Sequence, residues 1–231
     1  MKKLTGTLVI FFAAAVSAIA AEPASRAAAD PLPVLQELQR KMASLRSVYL
    51  EFTQERYLKL FSEPLKSEGI MLIQQPDQIR WETTAPYQSI LLANNKAVAQ
   101  FERTDGKWNK LKLGFPQLLR RVMEQMVQMH QGKLDAMTSD YTISVSTNST
   151  AAILKLIPKD ETVRSMMSAL EVYLQPDFSA TRQVVMNEPN GDFTKIIFNR
   201  EVRNVKFPPN TFDQIKPLEA AAVKAAVSNA P

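Results

Sequence analysis

From residue 48 onward the chain consists of short segments in which apolar and polar residues alternate, and this alternation constrains the fold more than any other feature. Val48, Leu50 and Phe52 are each separated by one residue, as in a strand whose side chains point alternately to two faces. Turn residues such as Asp105-Gly106 and Asn190-Gly191 interrupt the segments and predict hairpins. We therefore expect consecutive antiparallel strands in two groups of about five. The segments that follow the first are 69–73, 79–83, 88–93, 97–102, 107–113, 141–147, 152–157, 169–174, 181–187 and 193–199.

Two other segments repeat their apolar residues every three or four positions, which is the spacing of an amphipathic helix. The first begins at Asp30-Pro31, where a carboxylate and a proline favour a helix start, and continues through Leu35 and Met42. The second begins at Pro116 and ends near Gly132. A large antiparallel sheet curls rather than staying flat, and we expect the two helices to cover its concave face. The sequence therefore predicts a mainly β protein with helices, of the α+β class.

The N-terminus has the pattern of a secretory signal peptide. Lys2 and Lys3 precede an apolar run over 8–16, and Ala18-Ile19-Ala20 offers a cleavage site. The chain contains 0 cysteines, so no residue can carry the lipid anchor of a bacterial lipoprotein. We expect the mature protein to be a soluble monomer of the periplasm. The predicted division is signal peptide 1–20, spacer 21–30, single domain 31–216 and Ala-rich tail 217–231.

Residues that could form the usual catalytic or metal sites are scarce. His130 is the only histidine, and in the absence of cysteine it cannot complete a common zinc set. With 6 glycines the chain has no phosphate-binding loop. The formal net charge of +5 comes without a dense Lys/Arg run, which argues against nucleic acid as a partner. We expect no enzyme activity, no cofactor and no metal, although the sequence leaves open a carboxylate pair brought together by the fold.

The second helix carries an apolar stripe that is rich in methionine, and the stripe has two interpretations. One is a permanent core face, which helical spacing alone favours. The other is a lid that lifts off a cavity, because methionine repacks around ligands of different shape and specifies a permanent core poorly. The sequence leaves both open. The stripe comprises Leu118, Leu119, Val122, Met123, Met126 and Met129.

Short motifs along the chain occur in an order and spacing that is typical of one known family. They are Phe52-Thr53-Gln54, Gly69, Gln75-Pro76, Arg80-Trp81, Pro86, Ile90-Leu91, Leu156-Ile157-Pro158-Lys159, Asn190-Gly191-Asp192 and Phe207-Pro208-Pro209 through Phe212. Together they resemble the outer-membrane lipoprotein carrier family, over nearly all of the chain that follows the signal peptide. Each motif is short, and it is their shared order that carries the resemblance.

The resemblance implies an open, incomplete antiparallel β-barrel, a half-barrel, covered by a helical lid. Family members take a triacylated lipoprotein from an inner-membrane transporter, carry its acyl chains through the periplasm, and pass it to an outer-membrane acceptor. The residues that would line the acyl-chain cavity are Phe52, Ile79, Trp81 and Leu91. The residues that would form the lid are Leu118, Val122, Met123, Met126 and Met129. Strand parity agrees for Ile79 and Trp81, which share one face.

One position departs from the family pattern. The best-studied branch has an arginine directly before the Pro76 position, where it helps to hold the lid closed, whereas this chain has Gln75. We treat Gln75 and the nearby Arg80 as candidate polar contacts of the lid, although a regular strand would turn Arg80 away from it. Two alternatives to a lipoprotein carrier stay open: a carrier of another acyl product, such as a fatty acid, glycolipid or polyene, and a domain that senses lipid.

Overall fold

The computed structural model describes residues 31–42, 44–94, 97–113, 120, 123–124, 127, 134–147, 151–218 and 227–228. The predicted signal peptide and spacer lie outside the described residues. Three helices have defined bounds: α1 (Pro31–Met42), α2 (Leu134–Asp140) and α3 (Glu161–Arg164). The strands are β1 (Ser47–Tyr57), β2 (Leu65–Gln74), β3 (Gln78–Ala85), β4 (Ser89–Ala93), β5 (Val98–Thr104), β6 (Lys107–Lys110), β7 (Tyr141–Thr147), β8 (Ala152–Pro158), β9 (Ala169–Leu174), β10 (Thr181–Asn187) and β11 (Phe193–Arg203).

All eleven of these strands belong to one antiparallel sheet, in the order β6-β5-β4-β3-β2-β1-β11-β10-β9-β8-β7. Each strand pairs with its neighbour in sequence within the two runs β1–β6 and β7–β11, and the runs join where β1 pairs with β11. Among the described strands, β6 and β7 end the sheet without pairing with each other. The prediction of an open antiparallel sheet that is mainly built of consecutive hairpins is therefore confirmed.

The turn signals form the hairpins that the sequence predicts. Asp105 and Gly106 both have positive φ, of 51° and 78°, as a tight turn between β5 and β6 requires. Gly191 has φ 84° in the turn before β11. The predicted strand over 107–113 is shorter, since β6 ends at Lys110. Two short helices, α2 and α3, were not expected; Asp160 caps α3 by accepting a hydrogen bond from the Val163 N–H.

One face of the sheet, which we call the front face, packs against α1. The apolar stripe of α1 is buried there through Leu35, Leu38 and Met42, and α1 contacts both β7 and α2. A single hydrophobic cluster joins these side chains to alternate residues of the strands on both sides of the β1–β11 junction. We call it the front cluster; its buried strand residues are Val48, Leu50, Phe52, Met71, Ile73, Ile79, Ala93, Tyr141, Val145, Ala152, Leu154, Leu156, Val172 and Leu174.

The opposite face, the back face, has a smaller cluster under the chain that follows β11. Tyr49 and Leu72 of the sheet are buried against Val205 and Phe212, and the Phe207 and Phe212 rings meet edge to face with centroids 5.6 Å apart. From the predicted Ala-rich tail, Leu218 and Val227 also pack in this cluster. No helix among the described residues is long and apolar enough to cross a membrane.

Candidate functional site

The four residues predicted to line an acyl-chain cavity lie together on the front face. Trp81 of β3 stands directly opposite Leu91 of β4, and Ile79 lies two residues before Trp81 on the same side of the strand. Phe52 lies on β1, two strands away from β3, and its ring centroid is 5.0 Å from that of Trp81 with the ring planes tilted by 59°. The register of β1 to β4 thus brings the four predicted cavity residues together in one aromatic and aliphatic surface.

Gly69 on the intervening strand allows Phe52 and Trp81 to meet. It pairs with Phe52 on one side and with Thr83 on the other, at an irregularity in the β2–β3 register. A Cβ added at Gly69 would lie 1.9 Å from the carbonyl oxygen of Glu82 and 2.9 Å from Cζ of Phe52. The missing side chain therefore leaves the space over β2 into which the Phe52 ring extends.

The front face is covered rather than open. Phe52 and Ile79 are 1 % and 0 % exposed, whereas Trp81 and Leu91 are partly buried and pack against the same cluster. An apolar pocket lies between α1 and strands β7–β9, and Leu38, Met137 and Leu156 are among the side chains that line it. Within the part of the chain that the structure describes, hydrocarbon would reach Phe52 and Ile79 by displacing side chains that now bury them.

The second predicted helix contributes to this cover through two described side chains. Met123 and Val127, four residues apart and both helical, are buried in the front cluster. The other predicted lid residues, which are Leu118, Val122, Met126 and Met129, lie outside the described residues. The sequence analysis missed Val127, although its spacing of four from Met123 places it on the same helical face. Met137 of α2 joins the same cluster.

Gln75 contacts the connection between α1 and β1. Its Nε2 donates a hydrogen bond to the Leu45 carbonyl at 2.5 Å, and the Arg46 guanidinium donates to its Oε1 at 3.4 Å. Leu45 is itself buried in the front cluster, directly after α1 ends. The side chain that replaces the expected arginine therefore ties β2 to the segment that leads out of the helix.

The structure places Arg80 on the back face and not among the residues that cover the front face. Its guanidinium donates to the carbonyls of Thr211 at 2.8 Å and Gln214 at 2.7 Å, and also to Lys216. It forms a salt bridge with Glu82, and both side chains are buried. Burial lowers the pKa of Arg80, and the neighbouring Glu82 carboxylate opposes that shift. All of its partners among the described residues belong to the C-terminal segment or to β3, because strand alternation turns Arg80 away from Trp81.

The described residues contain no group of three or more His, Cys, Asp or Glu side chains that could hold a metal ion. What they do present is a continuous apolar face that helices cover. Such a surface suits the sequestration of hydrocarbon from water, since burial of each methylene contributes about 0.8 kcal/mol.

The family model of the outer membrane lipoprotein carrier protein LolA matches residues 43–214. A relative described as an outer-membrane lipoprotein carrier protein, from Pseudoalteromonas translucida, is 22% identical over 182 residues, which cover 79% of this chain and 83% of the relative.

Solved structures with similar folds include two small bacterial proteins. An uncharacterised conserved protein from Thermus thermophilus has a TM-score of 0.49 at 8% identity, covering 80% of this chain and 94% of its own. A LolA superfamily protein from Nitrosomonas europaea has a TM-score of 0.44 at 9% identity, covering 81% of this chain and 99% of its own.

Proposed function

Because this chain belongs to the family of outer-membrane lipoprotein carrier proteins, we propose that it binds the acyl chains of lipoproteins on its front face and ferries them from the inner to the outer membrane. The observation that carries the proposal is the Phe52–Trp81 contact within a continuous apolar face that is covered by helices. A sheet face closed by a second sheet would be a permanent core. A face closed by short amphipathic helices can exchange its cover for a ligand.

The proposed mechanism is an exchange of burial. An acyl chain in water costs about 0.8 kcal/mol per methylene, so a lipid with several chains cannot cross an aqueous compartment unaided. In the closed protein, Phe52 and Ile79 are buried in the same cluster as the apolar stripe of α1 and Met123. Cargo would replace those contacts. The free energy of covering the front face with helices stays close to the free energy of covering it with cargo. This small difference permits both loading and release.

The proposed path begins at an inner-membrane transporter and ends at an outer-membrane acceptor, with the carrier in the periplasm between them. The N-terminal pattern of Lys2, Lys3 and the apolar run over 8–16 supports export by a cleaved signal peptide. The loop between β1 and β2 supports contact with apolar surfaces, because Leu60 and Phe61 are 87 % and 53 % exposed there. An exposed apolar tip is costly in water and favours a site of encounter with donor or acceptor.

Native mass spectrometry of the protein purified from the periplasm, followed by lipid extraction, tests the proposal. We expect bound diacyl or triacyl species, or an intact lipoprotein. Trp81→Ala should weaken the affinity for acyl chains about tenfold, which corresponds to about 1.4 kcal/mol, and so lower the occupancy. Trp108→Ala is the matched control, because Trp108 of β6 lies opposite Arg103 at the edge of the sheet and outside the front cluster. A ligand-free mass in the wild-type protein that persists after addition of an acyl probe would contradict the carrier function.

A further inference from the structure

The front face ends in a polar pair, formed by Arg56 and Glu188. The pair lies at the end of β1 that leads to the β1–β2 loop. Arg56 shares the face of Phe52 because the two residues are four apart on one strand, which puts their Cα atoms about 13 Å apart. Arg56 stands opposite Thr194 on β11, which in turn stands opposite Met186 of the front cluster on β10. The polar pair therefore lies on the same face of the sheet as the apolar surface, beyond its end in the direction of β1.

Among the described residues, the guanidinium of Arg56 forms a salt bridge with the carboxylate of Glu188. Its Nη2 lies 3.2 Å from Oε1 of Glu188, and the two side chains are only 18% and 13% exposed. Burial raises the pKa of Glu188, while Arg56 acts against that shift and the Asp192 carboxylate reinforces it. The Arg56 guanidinium thus faces the Glu188 carboxylate at the rim of an apolar surface, with the Asp192 carboxylate close enough to act on Glu188.

One donor of this guanidinium is left over. Nε of Arg56 is buried and has no hydrogen-bond partner among the described residues. A buried donor without an acceptor costs about 1–3 kcal/mol. An acceptor brought by a ligand would remove that cost, and Arg56 lies on the same face of β1 as Phe52, about 13 Å along the strand.

We propose that Arg56, held by Glu188, binds the carbonyl oxygen of the ester or amide that joins an acyl chain to its headgroup. This inference rests on the proposed carrier function and names the part of the cargo that the protein recognises beyond hydrocarbon. The charge of Arg56 is already balanced by Glu188, so the site needs a neutral acceptor. A free carboxylate or phosphate would add a further anion beside Glu188 and Asp192, and a plain hydrocarbon would leave Nε without an acceptor.

Competition against a bound fluorescent acyl probe tests the site. The competitors are a fatty acid methyl ester, the free fatty acid and the alkane, all of one chain length. In the wild-type protein we expect the ester to compete at least about tenfold more strongly than the alkane, as one hydrogen bond to a charged donor predicts. The free fatty acid should compete less strongly than the ester at neutral pH.

Arg56→Lys is the decisive variant, because it keeps the positive charge opposite Glu188 and removes the Nε donor. We expect the ester-to-alkane ratio to fall to near one while the affinity for the alkane changes less than twofold. Arg103→Lys is the control, since Arg103 is an exposed β5 residue bound to Gln88, and the ratio should stay at the wild-type value. Glu188→Gln removes the balancing charge and should shift the preference towards the free fatty acid.

Equal competition by ester and alkane in the wild-type protein would overturn the polar site and leave the carrier function intact. An unchanged ratio in Arg56→Lys, or a wild-type preference for the free fatty acid, would overturn the assignment of Arg56 to a neutral carbonyl. Failure of every acyl compound to bind would contradict the carrier function, and the polar site with it.

Discussion

The rings of Phe52 and Trp81 touch across the strand that separates them, with centroids 5.0 Å apart. The contact depends on Gly69, whose missing side chain leaves room for the Phe52 ring above β2. Aromatic pairs in this tilted geometry contribute about 0.5–1.5 kcal/mol beyond the area that they bury. The centre of the front face is therefore fixed by three residues on three adjacent strands.

Gly69→Ala should displace the Phe52 ring and lower the free energy of unfolding by about 1–3 kcal/mol or more, because the added Cβ overlaps backbone. Urea unfolding followed by tryptophan fluorescence measures the change. Affinity for an acyl probe should fall with it, since the ring that moves belongs to the proposed binding face.

Gly106→Ala is the control for this substitution. No atom lies within 4 Å of a Cβ added at Gly106, so the cost arises only from its φ of 78°. Acyl-probe affinity should stay at the wild-type value. An equal loss of affinity in both variants would show that the effect comes from general destabilisation and not from the Phe52 ring.

Arg80→Met should lower the free energy of unfolding by about 3–5 kcal/mol, because it leaves the Glu82 carboxylate buried without its partner. It also removes the donors that hold the carbonyls of Thr211 and Gln214. We expect limited proteolysis to cut the chain after β11 faster than in the wild-type protein, while urea unfolding measures the loss of stability.

Arg40→Met is the matched control, because the Arg40–Glu37 pair lies on the surface with side-chain exposures of 72% and 33%. Its loss should leave the free energy of unfolding almost unchanged, because water screens an exposed ion pair. The double variant Arg80→Met, Glu82→Gln should recover part of the stability that Arg80→Met loses. If Arg80→Met were no more destabilising than Arg40→Met, the buried pair would not be holding the C-terminal segment.

Tyr49 should make the protein sensitive to alkaline pH. Burial, reinforced by Glu51, which accepts a hydrogen bond from the hydroxyl at 3.1 Å, raises the pKa of Tyr49 to about 12. The folded state thus keeps a proton that the unfolded chain loses near its ordinary pKa of about 10. This contribution to stability is present below pH 10 and is lost as the pH rises towards about 12.

The direction of this pH dependence is tested by measuring the free energy of unfolding at several pH values between about 9 and 12. The measurement compares the wild-type protein with Tyr49→Phe. We expect the wild-type protein to lose more stability over that interval than the variant does, because the variant has no phenol to ionise. Parallel stability curves for the two proteins would contradict the assignment.

The apolar tip of the β1–β2 loop should affect the rate at which cargo is transferred and not the affinity for cargo. Leu60 is 87 % exposed, and the backbone beside it is anchored by the hydrogen bond from the Lys59 N–H to Asp192 at 2.9 Å. Leu60→Ser with Phe61→Ser should slow the release of an acyl probe to vesicles of phosphatidylethanolamine and phosphatidylglycerol several-fold, because less apolar surface meets the bilayer. Leu32→Ser removes from α1 a leucine that is 51 % exposed and should leave the rate unchanged.

The sheet and the front face could be predicted from the sequence because their signals are local. Alternation places Ile79 and Trp81 on one side of a strand whatever its neighbours are. Turn residues such as Asp105-Gly106 then force adjacent segments into hairpins, so that a predicted order of strands becomes an order in space. Alternation along each strand and the register between strands together bring four residues to one place, which are Phe52, Ile79, Trp81 and Leu91.

The back face could not be predicted because its signal is not local. Arg80 and Glu82 have the pattern of a solvent-exposed strand face, yet both are buried under a segment about 130 residues further along the chain. The acceptors that make this burial tolerable are backbone carbonyls, which every residue possesses and no sequence pattern marks. The polar contact of the Arg56 guanidinium with Glu188 is hidden for the same reason, since it joins β1 to the end of β10.

The most direct test of the carrier function uses the two tryptophans of the chain, of which Trp81 lies on the front face and Trp108 on β6. Trp108→Phe leaves Trp81 as the only reporter, and Trp81→Phe leaves Trp108. A brominated acyl chain quenches a tryptophan that it touches. We predict that binding quenches Trp81 and leaves the fluorescence of Trp108 unchanged. Quenching of Trp108 alone, or of neither, would contradict acyl-chain binding on the front face.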